Sequence, residues 1–177
     1  MTMDGMHDET ARLDQGPASG QHPNRAGLVA LHVHAAAPGE LLDRAKDVLR
    51  HVIDLDARDF EHQAAAHLPD WFVNACAPEP SPEERRRWLE WWRSLDHPAK
   101  VAAERDRGWT LAEWLSWMEP SERTWWWWDA VIMGPSEARV SVEVDGWPTA
   151  LGALEWLLRA SGATSVSEPD SGTTLGR

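Results

Sequence analysis

Alternation of apolar and polar side chains predicts β-strands at residues 28–34 and 139–145. Their inward-facing side chains are expected to be those of Val29, Leu31, Val33, Val140, Val142 and Val144. The turn-forming sequence at residues 133–136 predicts a hairpin partner at residues 130–133. Residues 163–167 are expected to form a short last strand.

Apolar positions spaced three and four apart predict two helices between these strands. The first begins at Pro38 and ends near Ile53, with an apolar stripe made of Leu41, Leu42, Ala45, Val48, Leu49, Val52 and Ile53. Thr149 is expected to cap the second helix, and Ser161 and Gly162 to end it. The second stripe consists of Ala150, Leu151, Leu154, Leu157 and Leu158.

The order strand, helix, strand, strand, helix, strand is a split βαβ, the ferredoxin-like arrangement of the α+β class. It places the first and third strands side by side in the middle of an antiparallel sheet. We therefore predict one α+β domain over residues 27–167. The aperiodic, polar residues 1–26 and 168–177 are expected to be a disordered N-terminal arm and C-terminal tail.

A Trp-rich helical insertion is predicted between the first helix and the second strand, at about residues 55–124. Capping boxes at Ser81/Glu84 and Thr110/Glu113 begin two of its helices. Since the two helices of a ferredoxin-like sheet cover one face, we expect the insertion to cover the other. The run Trp125–Trp128 is compatible with a strand or a short helix, and either structure would require its indoles to be buried.

The chain has thirteen tryptophans, two phenylalanines and no tyrosine. Several exposed indoles together would exceed the apolar patch of a few hundred Å² that a soluble monomer normally shows. The cluster is therefore a core, an interface, or an aromatic pocket for a cationic or ring-shaped ligand. The candidate ligand or interface residues are Trp114, Trp117, Trp125, Trp126, Trp127, Trp128 and Trp156. Because Trp156 lies off the apolar stripe of its helix, we expect it at a surface contact.

A net charge of −12 disfavours binding to nucleic acid, which needs a basic footprint, and to an anionic membrane surface, so we expect neither as a partner. It favours cationic or neutral partners. The N-terminal sequence lacks a signal-peptide pattern and the chain lacks a membrane-spanning stretch, so a cytoplasmic location is expected. The single cysteine, Cys76, excludes an internal disulfide and is expected to be a small core residue or a half-buried one.

His32 and His34 are the most suggestive pair for chemistry, because residues two apart on a strand share a face and stand about 7 Å apart. Glu143 on the neighbouring strand is expected within reach of them. Such a trio can hold a metal ion, act as an oriented general base, or be structural. We favour the structural role and assign no metal ligand.

These patterns favour an acidic, cytoplasmic protein-binding domain, such as an inhibitor or immunity-type partner protein. The alternative is a small-molecule enzyme or ligand-binding protein that uses the sheet face, with His32 as base, Glu143 orienting it and His34 contacting substrate beneath a Trp-lined lid. Self-association through the surplus indoles is a third possibility. No nucleotide-binding or hydrolase motif is present, no cofactor is assigned, and whether the chain is an enzyme stays open.

Overall fold

The computed structural model describes residues 3–53, 55 and 60–168, in which it forms eight α-helices and a four-stranded antiparallel sheet. The strands are β1 (Gly27–Ala35), β2 (Trp125–Gly134), β3 (Glu137–Val144) and β4 (Ala163–Ser167). The helices are α1 (Met3–Gln15), α2 (Pro38–Ile53), α3 (Phe60–His67), α4 (Asp70–Ala75), α5 (Pro82–Ser94), α6 (His97–Asp106), α7 (Leu111–Met118) and α8 (Gly152–Ala160). None of the helices in these residues is both long and apolar enough to cross a membrane.

The strands lie in the order β2-β3-β1-β4, and every neighbouring pair is antiparallel. β1 pairs with β3 from Gly27 opposite Val144 to His34 opposite Glu137. The predicted adjacency of the first and third strands is therefore present. The α+β class with an open antiparallel sheet is confirmed.

One face of the sheet packs against α2 and α8. Val29, Leu31 and Val33 of β1 are buried in the same hydrophobic core as the apolar stripes of both helices. α2 has the predicted bounds, whereas α8 begins at Gly152 and has no side-chain cap. The prediction that Thr149 caps α8 is wrong, because this residue precedes the helix and its hydroxyl lies 3.3 Å from that of Thr124.

The helical insertion lies between α2 and β2 in the chain, as predicted, but it packs on the side of the helices. Phe72 of α4 and Trp114 of α7 belong to the same core as α2 and α8. The Trp114 indole donates a hydrogen bond to the carbonyl of Ala153 in α8, over 3.0 Å. The expectation that the insertion covers the open sheet face is therefore wrong. The buried Trp114 indole bonds to α8, so the insertion extends the core that α2 and α8 form with the sheet.

Helix α1 occupies the segment where the sequence predicts a disordered arm. It lies along the outer edge of β2, with Leu13 fully buried. Trp127 of β2 donates its backbone N–H to Glu9 over 2.5 Å, and Arg12 donates to the Trp127 carbonyl over 3.0 Å. The charged side chains that suggest disorder are thus the partners of an edge strand. The rest of the predicted C-terminal tail after Glu168 lies outside the described residues.

The indole run forms the first four residues of β2 and is extended, which decides between the strand and helix alternatives. Trp125 and Trp127 are buried in the core. Trp126 and Trp128 are buried outside it, beneath the guanidinium groups of Arg25 and Arg12, which lie 3.1 and 5.1 Å from the respective ring centroids. Both sides of the run are covered, as alternation in a strand requires. The N-terminal segment, and not the insertion, supplies the second cover.

Candidate functional site

His32 and His34 lie on the open face of β1, as predicted, and both are exposed. Their neighbours across β3 are Arg139 and Glu137, respectively. The Nδ1 atom of His34 is 3.7 Å from a carboxylate oxygen of Glu137. Glu143 pairs instead with Leu28, four residues from His32 along the strand, or about 13 Å at 3.3 Å per residue. The structure therefore does not bring the predicted trio together.

Glu143 is a structural residue of the sheet and its N-terminal cover. Its side chain is buried, accepts a hydrogen bond from the backbone N–H of Asn24 over 2.5 Å, and lies 3.6 Å from the Arg12 guanidinium. A buried carboxylate needs such partners, because an unpaired charge inside a protein is strongly unfavourable. Glu143 is consequently held away from the histidines.

The surface beside the two histidines offers little room for a ligand. The cavity that touches His32, His34 and Glu137 has a volume of about 110 Å³. Small-molecule sites usually measure about 300–1,000 Å³. Within the described ranges, no group of three or more histidine, cysteine, aspartate or glutamate residues is arranged to hold a metal ion. The cavity at the two histidines is therefore smaller than the enclosed pocket that the small-molecule alternative requires.

Most of the tryptophans predicted as interface residues are internal. Trp114 and Trp125–Trp128 are buried. Trp156 is half-buried and lies beside Cys76, and burial raises the pKa of the Cys76 thiol. Trp117, at 44% exposure, is the member of the predicted set that reaches the surface. Trp117 belongs to α7, which faces α5 across a surface cleft.

A cleft of about 470 Å³ lies between α5 and α7. We call it the indole cleft, and its lining consists of Trp88, Leu89, Trp92, Arg107, Gly108, Trp109, Glu113 and Trp117. Its volume falls within the range of ligand-binding sites, and its apolar lining with a few polar groups is typical of them. Four of the thirteen tryptophans thus converge on one surface opening.

The α5 wall of the indole cleft is built from an amphipathic helix with a strong start. The Ser81 hydroxyl accepts from the backbone N–H of Glu84, and the Glu84 carboxylate accepts from the backbone N–H of Ser81. The Ser81 hydroxyl also donates to this carboxylate over 2.7 Å, and this bond, together with the one from the Ser81 backbone N–H, lowers the pKa of Glu84 below its usual value. One helical turn apart, Trp88 and Trp92 stack with ring centroids 6.2 Å apart. No residue of α5 is buried, so its indoles are only partly shielded from solvent at the cleft.

The opposite wall is fixed to the body of the protein. Thr110 and Glu113 form the predicted capping box of α7. Ahead of it, the Trp109 carbonyl accepts a hydrogen bond from the backbone N–H of Ala77 over 2.8 Å. The Trp109 ring rests against Gly152 of α8 so closely that a Cβ there would lie 3.0 Å from it. This wall therefore has little freedom to shift.

Charges inside the indole cleft are balanced by an ion pair. The guanidinium of Arg107 lies 4.7 Å from the Trp88 ring centroid and is paired with the Glu113 carboxylate. On the other member of the stack, the Lys100 ammonium lies 4.5 Å from the centroid of Trp92. Cations are attracted to indole faces by the ring quadrupole. The cleft is thus chemically suited to flat or cationic groups.

Exposed apolar side chains extend the indole cleft outward. Leu89, Trp91 and Trp117 are 36%, 51% and 44% exposed, and the Trp91 ring centroid is 6.5 Å from that of Trp88. A contiguous exposed apolar patch next to a cleft is typical of a binding surface. The arrangement can accept a side chain into the cleft while the rim contacts the surface around it.

Among the residues of the indole cleft, Trp117 is the one predicted from the sequence as a ligand or interface residue. Trp88 and Trp92 lie four residues apart on an otherwise strongly polar helix, which is the signal that their indoles are not part of the main core. No pattern along the chain points to Arg107. Comparison of the chain with protein-family models, with curated proteins and with solved structures finds no match.

Proposed function

We propose that the protein is a binding domain that recognises another protein through the indole cleft. The observation that carries this proposal is the exposure of Leu89, Trp91 and Trp117 around a cleft lined by further indoles. Tryptophan is enriched among the residues that dominate the energy of protein–protein interfaces. A cleft with an exposed apolar rim suits a protruding side chain better than a small molecule that must be enclosed.

The charge of the chain narrows the class of partner. A net charge of −12 supports a partner that is cationic or neutral at its docking surface. Electrostatic attraction speeds the association of an acidic protein with a partner of opposite charge. An inhibitor or immunity-type role in the cytoplasm agrees with a small acidic chain that presents aromatic anchors. Such a role requires no catalytic residue.

We also infer that the sheet with α2 and α8 is a ferredoxin-like split βαβ unit. The order β2-β3-β1-β4, the antiparallel pairing throughout and the shared core of α2 and α8 support this assignment. In this interpretation α1 and the helical insertion are additions to the unit. The indole cleft then belongs to an addition, as functional sites on common folds often do.

A capture experiment tests the proposed function. The full chain is immobilised, exposed to an extract of its host, and compared with the double variant Trp91→Ala/Trp117→Ala. We expect a stoichiometric protein partner that the double variant loses. Trp147→Ala is the matched control, because this indole is 67% exposed and does not line the cleft.

Three results would contradict the proposal: no captured protein, equal capture by the double variant, or loss of capture in Trp147→Ala alone. Light scattering of the purified chain is run in parallel. A dimer that the double variant abolishes would identify a second copy of the chain as the partner.

A further inference from the structure

We propose that the group bound in the indole cleft is the guanidinium of an arginine side chain, which replaces the protein's own Arg107. This inference rests on the proposed function, since it names the chemistry of the partner at that site. A guanidinium already lies in the cleft, against the Trp88 ring and paired with Glu113. The indole face and the carboxylate are therefore placed for this group.

The shape of a guanidinium allows it to contact the Trp88 indole face and the Glu113 carboxylate at the same time. It is planar, so it stacks on an indole while its edge donates hydrogen bonds to a carboxylate. Oε1 of Glu113 accepts from Arg107, and Oε2 accepts only a long 3.3 Å bond from the backbone N–H of Thr110. A carboxylate has about four acceptor positions. Glu113 consequently has capacity for an incoming donor before Arg107 has left.

Arg107 is weakly held and can be displaced. Its side chain is 34% exposed and that of Glu113 is 43% exposed, and solvent-accessible ion pairs contribute little to stability. Arg107 follows the last residue of α6 and caps the helix through its backbone N–H, so its side chain takes no part in the helix end. Moving it into water leaves its helix and both capping boxes intact.

Charge favours the exchange. With Arg107 withdrawn, the Trp88 side of the cleft holds one carboxylate and the surrounding indoles, while Lys100 remains over the other ring of the stack. A cation is then attracted by Glu113, by the indole faces and, at longer range, by the acidic chain. An anion would be attracted by Arg107 and Lys100 but repelled by the Glu113 carboxylate, and a neutral ring would make no use of these charges.

Titration with capped amino acids tests this inference. The probes are N-acetyl-arginine methylamide and the citrulline analogue, which has nearly the same shape but no charge. Binding is followed by the indole N–H resonances of the full chain, with Trp88, Trp109 and Trp117 assigned by substitution. We expect the arginine probe to shift these three resonances with a millimolar dissociation constant and the citrulline probe to leave them in place.

Two variants separate cation binding from the alternatives. Glu113→Gln keeps a residue that can complete the capping box but removes the charge, and we expect about tenfold weaker binding of the arginine probe. Arg107→Met removes the internal competitor and the like charge, and we expect binding about threefold tighter. Tighter binding in Arg107→Met is the result that a merely structural role of Arg107 would not produce.

The inference is overturned if citrulline binds as well as arginine, if Glu113→Gln binds equally well, or if Arg107→Met binds more weakly. A captured protein that depends on Trp91 and Trp117, but that the arginine probe does not compete away, would overturn the inference and leave the proposed function intact. Arginine binding by a chain that captures no protein would overturn the proposed function and leave guanidinium binding intact. The site would then bind a free guanidinium compound.

Discussion

At the scale of single residues, tryptophans that are close together in the chain lie in opposite environments. Trp114 of α7 is fully buried, with its ring centroid 4.7 Å from that of Phe72 and its N–H bonded to Ala153. Trp91 of α5 is half exposed and touches the stack beside the indole cleft. The amino-acid composition does not distinguish the two, whereas burial and the partner of the indole N–H separate a core tryptophan from a surface one.

This difference predicts unequal costs of truncation. We expect Trp114→Ala to lower the free energy of unfolding by about 3–5 kcal/mol, because it leaves a large cavity in the core. Trp91→Ala is expected to change it by less than about 0.5 kcal/mol, as exposed positions usually do. Urea unfolding followed by far-ultraviolet circular dichroism measures both. Similar values for the two variants would contradict the assignment of Trp114 to the core.

At the scale of elements, α1 protects the free edge of β2. An uncovered edge strand is a template for pairing with other chains. Both backbone groups of Trp127 are bonded by α1, and Glu9 is itself paired with the buried Arg123. Two side chains of α1 therefore satisfy the backbone groups of Trp127 at this edge, and Arg123 balances the charge of one of them.

Removing the Glu9 carboxylate is expected to be costly. Glu9→Ala leaves Arg123 buried without its counter-charge, so we expect a loss of about 3–5 kcal/mol in the free energy of unfolding. Asp14→Ala is the control on the same helix, because its pair with Arg50 is exposed, and we expect a loss below about 1 kcal/mol. Urea unfolding compares them, and equal losses would show that α1 does not bind the edge through Glu9.

The start of α5 is expected to depend on pH. Bonds to Ser81 lower the pKa of Glu84 in the folded chain, so the stabilisation is present above the unfolded pKa and is lost as the pH falls through the folded value. We expect the first turn of α5 to fray below about pH 4.3, the ordinary glutamate pKa. Backbone chemical shifts of the α5 residues, followed from about pH 6 downwards, report the transition.

Glu84→Gln provides the matched control for this pH effect. Glutamine can occupy the same capping position without a titrating charge, so the shifts of α5 should become nearly independent of pH. A transition of unchanged size in this variant would show that another group controls the helix start. Ser81→Ala should weaken the first turn at every pH.

At the scale of the whole molecule, residues 8–26 act as a cover for one end of the open sheet face. Arg25 lies over Trp126, Arg12 lies over Trp128, and the backbone of Asn24 bonds to Glu143. The other end of the face, with His32 and His34, stays in solvent. The location of this cover explains why the buried acid and the exposed imidazoles belong to separate environments.

Deletion of residues 1–26 is therefore expected to cause self-association. The truncated chain would expose Trp126, Trp128 and the edge of β2, which together form a large apolar surface beside free backbone groups. Light scattering of both chains over a concentration series should show larger species for the truncated chain than for the full chain. A monomeric truncated chain of unchanged stability would mean that the segment is not a necessary cover.

Sequence patterns predicted the elements whose signals are local. The bounds of α2, the alternation of β1 and β3, and both capping boxes follow from contacts within a few residues of each other. α1 was missed because its stabilising contacts join Glu9 and Arg12 to Trp127, far along the chain. The sequence of a polar segment without apolar periodicity does not indicate partners that lie so far along the chain.

The sequence by itself determined the antiparallel α+β framework and the need to bury most of its indoles, because period, capping and side-chain chemistry are carried by the chain. Only the tertiary structure decided which indoles are core, which face the insertion packs against, and that Glu143 is separated from the histidines. Register and packing depend on distant residues meeting, so one alternating pattern is compatible with several environments. The indole cleft likewise exists only because α5 and α7 lie opposite each other.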